Sequence, residues 1–222
     1  MRKALLSTAR ERDPDARKER IVNAAGEVFA KTGFAEGSVR EISRQAHVNV
    51  ASINYYFGSK EGLYREVLLT AHRQLLDQEP PPSPAADPEL ALREWIEFCL
   101  RFVLLKRSAH PVLGRLMAHE MRQPTAALAE LVKLVIKPIF SNLVGIVNAV
   151  TNGTLDKPAR EMSAHQIVAM CVHFDHSREV IGRLGFAVPE AEVGIQRLAD
   201  SITNMALRGL KLPTPKKTRS TK

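Results

Sequence analysis

Hydrogen-bonding and cationic side chains cluster in residues 38 to 60, SVREISRQAHVNVASINYYFGSK. The amide of Asn54 can form paired hydrogen bonds with the edge of an adenine, and the guanidinium of Arg40 can do the same with a guanine. Two tyrosines and a lysine in the same segment can bind phosphate oxygens; these are Tyr55, Tyr56 and Lys60. This combination predicts a surface that contacts double-stranded DNA.

Two short helices joined by a tight turn must position these side chains. Ser38 and Glu41 have the S-x-x-E spacing of a capping box, in which the hydroxyl and the carboxylate each take one unpaired amide at the helix start. We expect Asn49 to cap the next helix, which runs from about Val50 to Tyr56. An isolated helix below ~12 residues is marginal in water, so a partner helix must hold this one in place.

The outward face of the second helix is expected to lie in the major groove of DNA. Helical spacing places Asn54 and Tyr55 outward, and it turns Ile53 and Phe57 towards the core. The third tyrosine, Tyr64, is expected to pack. The full set of candidate DNA contacts is Ser38, Val39, Arg40, Val50, Ala51, Ser52, Asn54, Tyr55, Tyr56 and Lys60.

Between Arg17 and Leu69, a set of positions across three helices and two turns matches a known family in residue type and spacing, which is far more specific than a lone helix-turn-helix pattern. They are Ala24, Ala25, Phe29, Ala30, Gly33, Phe34, Ser38 to Ile42, Ala46, Val48, Ile53, Tyr56, Phe57 and Ser59 to Leu63. On these residues the chain resembles the TetR/AcrR family of bacterial transcription regulators. The resemblance implies a homodimeric all-helical repressor, held together by its last two helices, that binds a near-palindromic DNA operator. It also implies a larger C-terminal domain that binds a small-molecule effector.

Positive charge is concentrated at the two ends of the chain, whose net charge is +8. Residues 1–76 contain 13 lysines and arginines against 9 acidic residues, residues 77–207 contain 13 against 15, and residues 208–222 contain 6 against none. This distribution is expected if only the ends meet a polyanion. Residues 1–12 could be a flexible basic arm that follows DNA or simply a frayed terminus, and the basic tail 211–222 could touch phosphates or only be disordered and solubilising.

Helical patterns account for the rest of the chain, and alternating strand patterns do not occur, so the predicted class is all-α. We expect a DNA-binding domain at 13–78, a proline-rich connector at 79–88 and a helical effector-binding and dimerisation domain at 89–210. Within the larger domain, Pro138 should break a long helix, Ser163 should start a helix ending near Leu184, and Pro189 should start the last one.

The segment from Gly114 to Thr125 resembles a subgroup of the same family that is linked to drug and antibiotic sensitivity. In that subgroup the effector lies among helices five to eight. The corresponding candidate contacts here are Trp95, Cys99, Phe102, Met117, Glu120, Met121, Phe140, Met170, His173 and Phe174. Plain core packing is the alternative for each of them.

Several other functions are disfavoured by the sequence. Known catalytic motifs and phosphate-binding glycine loops are absent, so we expect neither an enzyme nor a cofactor. His173 and His176 share a helix face without completing a known ligand pattern, so we expect no metal site and leave open whether they contact a ligand. Cys99 and Cys171 are expected to be reduced core residues. Charges interrupt every long apolar run, which favours a cytoplasmic, nucleoid-associated protein without membrane contact.

The sequence therefore predicts a ligand-responsive transcriptional regulator, most simply a repressor. A constitutive architectural DNA-binding protein with no ligand response is one alternative. A helical enzyme or lipid-binding protein that merely carries the motif is the other.

Overall fold

The computed structural model describes residues 13–82, 86–106 and 110–211. Over these ranges the secondary structure is helical and contains no strand, which confirms the all-α class. The predicted arm 1–12 lies outside the described residues, as does the tail beyond Lys211.

The helices follow one another with short connections. They are α1 Pro14–Glu36, α2 Val39–Gln45, α3 Val50–Phe57, α4 Lys60–Gln78, α5 Pro88–Leu100, α6 Pro111–Arg122, α7 Ala126–Leu131, α8 Lys137–Val150, α9 Lys157–His176, α10 Arg178–Arg183 and α11 Glu192–Lys211. Two π-helical segments extend them, Arg101–Lys106 after α5 and Val132–Ile136 between α7 and α8.

The chain divides into two compact units, and the division differs from the expected domain boundaries. The first unit combines residues 1–78 with 107–138, and the second combines 79–106 with 139–222. Helices α6 and α7 belong to the first unit because Leu116 and Ala127 are buried in the same apolar core as Phe29 and Leu68. The first unit, which contains the helices predicted to bind DNA, is therefore built from two separate stretches of sequence.

The core of the first unit is centred on aromatic side chains. The rings of Phe29 and Tyr64 meet edge to face with their centroids 4.9 Å apart, and Phe34 lies 5.1 Å from Tyr64. Tyr64 is fully buried, as its predicted packing role requires. Ile42 of α2 and Ile53 of α3 are buried in the same core, so both short helices are held by tertiary contacts.

Ion pairs join α5 to α11 in the second unit, beside an extensive apolar core. Glu97 is nearly buried and accepts hydrogen bonds from both Arg93 and Arg101. Arg93 also reaches Asp200 at 2.6 Å, and Arg101 reaches Glu192 at 2.7 Å. These guanidinium groups therefore satisfy Glu97 and tie α5 to the last helix.

Two predicted helix starts in the second half of the chain are wrong. Helix α9 begins at Lys157 rather than Ser163, because the side chain of Asp156 caps it by accepting a hydrogen bond from Ala159 N at 2.9 Å. Pro158 fits the first turn, since an amide at that position would have no partner within the helix. The helix stops at His176, so the segment predicted as one helix is two, α9 and α10. The last helix begins at Glu192 and not at Pro189.

The predicted break at Pro138 takes the form of a π-helical turn. The backbone N–H of Lys137 donates to Val132 O, five residues earlier, directly before the proline. Pro138 has no backbone N–H to donate to the preceding turn, and the wider π-helical turn accommodates this missing hydrogen bond.

Candidate nucleic-acid interface

Helix α2 begins at the expected cap, but only half of the capping box forms. Ser38 Oγ accepts a hydrogen bond from Glu41 N at 3.4 Å. The carboxylate of Glu41 does not return to the helix start. It accepts instead from Arg44 at 2.6 and 2.9 Å and from Gln45 at 2.7 Å, because a guanidinium one turn away offers two charge-assisted bonds. The bonds from Arg44 and Gln45 lower the pKa of Glu41 to about 2.

Helix α3 is fixed at both ends and along its inner face. Asn49 Oδ1 accepts from Ala51 N at 2.9 Å, which confirms the predicted cap. At the other end Gly58 adopts a positive φ of 74° and its N–H donates to Asn54 O. Ile53 is fully buried between these ends. The side chains on the outer face of α3 are thus presented by a rigid element.

The outer face of α3 carries the predicted DNA-contacting side chains. Ala51, Asn54 and Tyr55 are exposed, and Tyr55 keeps 82% of its surface accessible. The ring of Tyr56 stands edge to face against Tyr55, with centroids 5.1 Å apart, and is itself half-buried against the core. The exposed hydroxyl of Tyr55, on a ring packed against the half-buried Tyr56, suits a phosphate contact. The other predicted contacts are exposed or partly exposed: Ser38, Val39, Arg40, Val50 and Ser52.

Lys60 has partners within the unit. Its Nζ donates to Ala35 O at 2.8 Å and lies 4.9 Å from the centroid of the Phe34 ring. The ammonium therefore ties the start of α4 to the end of α1. A phosphate would compete with these contacts. Lys60, predicted from the sequence only as a phosphate contact, therefore also stabilises the packing of α4 against α1.

A cationic recess beside the start of α3 was not identified in the sequence. It has a volume of about 570 Å³, and its lining residues come from α1, the turn and α3: Arg17, Arg20, His47, Val48, Asn49 and Ser52. The guanidinium groups and the N-terminal amides of α3 both favour an anion there. The available signal was the spacing of Arg17 and Arg20, which puts them one turn apart on α1.

The predicted effector contacts are divided between the two units. Trp95 lies in the core of the second unit with only 2% of its surface accessible, and five partly buried residues pack against that core: Cys99, Phe102, Phe140, Met170 and Phe174. Met117, Glu120 and Met121 belong to the first unit. The predicted effector contacts therefore do not share one hydrophobic core, because α6 packs on the core of the first unit.

Glu120 and its neighbours have other roles. The Glu120 carboxylate is completely buried and accepts from both the backbone N and the Oγ1 of Thr125, each at 3.0 Å, so it holds the start of α7. Burial, and then this carboxylate, raise the pKa of Tyr64. Met121 is exposed. His173 is also exposed, and its ring contacts Ser177 Oγ at 3.2 Å.

The described residues contain neither a cluster of metal ligands nor a membrane-spanning helix. Within residues 13–82, 86–106 and 110–211, no three His, Cys, Asp or Glu side chains come together in a way that could hold a metal ion. None of the helices in this part of the chain is long and apolar enough to cross a membrane.

Two family models match the chain, one in its N-terminal part and one in its C-terminal part. Residues 21–67 match the model of the tetR family of bacterial regulatory proteins. Residues 88–210, more than half of the chain, match the model of the C-terminal domain of the HTH-type transcriptional dual regulator CecR.

The similar curated proteins are transcriptional regulators. The dual regulator CecR of Shigella flexneri is 29% identical over 178 residues, which cover 74% of this chain and 78% of that protein. The transcriptional repressor NicS of Pseudomonas putida is 36% identical over 112 residues, which cover 50% of this chain and 51% of that protein.

Solved structures share the fold. The flavonoid-responsive regulator FrrA superimposes with a TM-score of 0.66 at 19% identity, over 87% of this chain and 96% of that one. HlyIIR, a hemolysin II transcriptional regulator, gives 0.57 at 24% identity, over 86% of this chain and 99% of that one. At these identities the likeness concerns the fold alone.

Proposed function

Because the chain belongs to the TetR family of bacterial transcriptional regulators, with a C-terminal domain of the CecR type, we propose that it is a repressor released from its operator by a small-molecule effector. The chain is a DNA-binding regulator and not an enzyme. The observation that carries the proposal is the outer face of α3, where Asn54 and Tyr55 project from a helix capped by Asn49 and anchored by Ile53.

We assign different contacts to different parts of this face. Asn54, with Arg40 at the start of α2, would bond to base edges, where a paired hydrogen bond is worth ~1–3 kcal/mol of discrimination. Tyr55 and the cationic recess around Arg20 would hold phosphates. In a homodimer the two copies of α3 would meet half-sites roughly 34–36 Å apart, one turn of DNA.

Asn54→Ala should relax base preference at one position of each half-site. The lost amide removes about 1–3 kcal/mol of discrimination, so the preferred base and its competitors should bind within a few-fold of each other. The measurement is enrichment of genomic fragments by the protein, followed by competition among single-base operator variants at fixed salt.

Tyr55→Phe is the matched control for that substitution. It keeps the ring packing and removes one phosphate hydrogen bond, so all sequences should weaken by a similar factor while the order of preference stays the same. Lys60→Ala is less suitable, since it also breaks the contacts with Ala35 and Phe34. Unchanged base preference in Asn54→Ala would remove Asn54 from the base-contacting set, and failure to enrich any sequence would overturn the proposed function.

Two buried polar atoms in the second unit support an effector site there. Trp95 Nε1 and Thr203 Oγ1 are inaccessible and have no hydrogen-bond partner among the described residues, and they lie on helices, α5 and α11, that pack together. Leaving such a group unpaired costs roughly 1–3 kcal/mol. An apolar effector with an oxygen or nitrogen acceptor would satisfy the indole N–H while the surrounding core binds its apolar part.

Trp95→Phe should separate effector binding from folding. The substitution keeps an aromatic ring and deletes the unpaired donor, so the free energy of unfolding should change little, whereas affinity for a responsive compound should fall about tenfold, the equivalent of one hydrogen bond of ~1.4 kcal/mol. The measurement is a thermal-shift screen of apolar compounds, combined with their ability to release operator DNA from both proteins.

Thr203→Val gives the matched test of the unpaired hydroxyl on α11. Equal responses of the wild type and Trp95→Phe to the same compounds would exclude the indole N–H as a contact. If no compound stabilised the protein or released DNA, the constitutive architectural protein would be the better description.

A further inference from the structure

The only two cysteines of the chain meet in the second unit. Cys99 is on α5 and Cys171 on α9, and these two helices pack directly against each other. Cys171 is fully buried in the apolar core, while Cys99 is partly exposed and packs against that core from its edge. The packed helices α5 and α9 therefore carry the two side chains of the chain that can be oxidised to a disulfide.

The two thiols interact across the packed helices. A hydrogen bond with Cys99, and then burial, raise the pKa of Cys171 well above that of an ordinary thiol. Cys171 is thus held as a protonated, shielded thiol, and the partly exposed Cys99 is the sulfur that a reagent from solution reaches first.

We propose that Cys99 and Cys171 are an oxidation site, which a hydroperoxide converts into an intramolecular disulfide between α5 and α9. The Cys99 sulfur attacks the outer oxygen of the hydroperoxide, the O–O bond breaks, and an alcohol leaves with one proton. The resulting sulfenic acid is attacked by the Cys171 sulfur, an S–S bond forms, and water leaves with the Cys171 proton. Two thiols and one hydroperoxide thereby yield one disulfide, one alcohol and one water.

Closing this bond would cross-link two packed helices of the second unit. A disulfide needs its two Cβ atoms about 3.8 Å apart and a Cβ–S–S–Cβ dihedral near ±90°, so it would hold α5 and α9 in one local arrangement. The same two helices carry proposed effector residues, Trp95 on α5 and Met170 on α9. An influence on operator affinity rests on the proposed function, but the oxidation itself does not.

The test uses the full-length protein, fully reduced and then exposed to cumene hydroperoxide. We expect a loss of two hydrogens per chain in the intact mass, loss of both titratable thiols, and a monomeric band of altered mobility on a non-reducing denaturing gel. Dithiothreitol should reverse all three changes. Thiols that stay titratable, a Cys99 sulfinic acid beside a free Cys171, or cross-links only between chains would each overturn the proposal.

Variants at the two positions locate the chemistry. Cys99→Ser should leave Cys171 unreacted, because the exposed entry point is lost. Cys171→Ala, which keeps the core apolar, should trap the sulfenic acid at Cys99 as a dimedone adduct. If Cys171→Ala does not fold, the disulfide-linked peptides of the oxidised wild type, identified by mass spectrometry, decide the pairing. Operator binding by the reduced protein tests the proposed function separately, so a protein that forms the disulfide but binds no operator would uphold this inference alone.

Discussion

Gly62→Ala is expected to abolish specific operator binding. A Cβ atom at Gly62 would lie 2.1 Å from the carbonyl oxygen of Phe57 and 3.3 Å from its carbonyl carbon. Phe57 is the last residue of α3, and a backbone carbonyl cannot rotate away as a side chain can. Helix α3 or α4 must therefore shift, at a cost of about 1–3 kcal/mol or more in the free energy of unfolding.

The loss of DNA affinity should exceed the loss of stability. Displacing α3 would disturb every proposed base contact of this helix at once, and a paired contact of this kind is worth ~1–3 kcal/mol. We expect specific affinity to fall roughly a hundredfold or more in fluorescence anisotropy with labelled operator, while chemical denaturation still shows a folded protein.

Gly145→Ala is the matched control for this substitution. Gly145 lies inside α8, and apart from its own helix backbone and chain neighbours no atom of the described residues is within 4 Å of the position of the new Cβ. The exchange should raise the free energy of unfolding by up to about 1 kcal/mol through helix propensity and leave operator affinity unchanged. Wild-type affinity in Gly62→Ala would show that the α3–α4 junction tolerates a shift, and the rigid presentation of Asn54 would then be wrong.

Met205→Asp is expected to separate the proposed dimer into monomers and thereby to cause the second large loss of operator affinity. Met205 on α11 keeps 63% of its surface accessible in the single chain, an unusual exposure for a methionine. Other large apolar side chains of α9 to α11 and the loop between them are exposed as well: Met162, Val180, Leu184, Phe186 and Val193. An apolar surface of this kind is typical of a contact with a second copy of the chain.

A carboxylate in a two-fold interface appears twice, so it costs twice the desolvation of a single charge. We expect a dimer to become a monomer in light scattering. Operator affinity should fall more than roughly a hundredfold, since one half-site provides only part of the contacts.

Leu90→Asp is the control for the dimer prediction. Leu90 is also an exposed apolar residue of the second unit, with 45% of its surface accessible, but it lies at the start of α5 and not on the last helices. The Leu90→Asp variant should remain dimeric and bind the operator with wild-type affinity. A wild-type protein that is monomeric at all concentrations, or a dimeric Met205→Asp, would place the interface elsewhere.

Features that depend on neighbouring residues could be predicted from the sequence. The helix caps at Ser38 and Asn49 both form, because a cap involves only the next two or three residues. Lys157 and Pro158 lie outside the helix predicted to start at Ser163, since proline after a turn suits both a loop and the first turn of a helix. The cap by Asp156 decides between the two.

Features that depend on distant packing could not be predicted. Periodicity marks the apolar face of α6 but does not say which core receives it, and so Met117 and Glu120 were assigned to the effector domain. The Glu41 carboxylate could bond either to the amide at the helix start or to Arg44. Side-chain geometry, which the sequence does not show, decides for Arg44. Asn54 and Tyr55, by contrast, were placed correctly on the outer face, because a capped helix of known register fixes which positions face outward.

The discontinuous first unit limits how such a regulator can be recombined. A chimaera cut at the proline-rich connector would take α1 to α4 but leave behind Leu116 and Ala127, which complete their core. The transplanted segment would carry an open hydrophobic side and would depend on the α6 and α7 of its new host to cover it. Exchange of DNA specificity between relatives therefore calls for two crossover points, and substitutions in α6 and α7 would have to coevolve with those in α1 and α4.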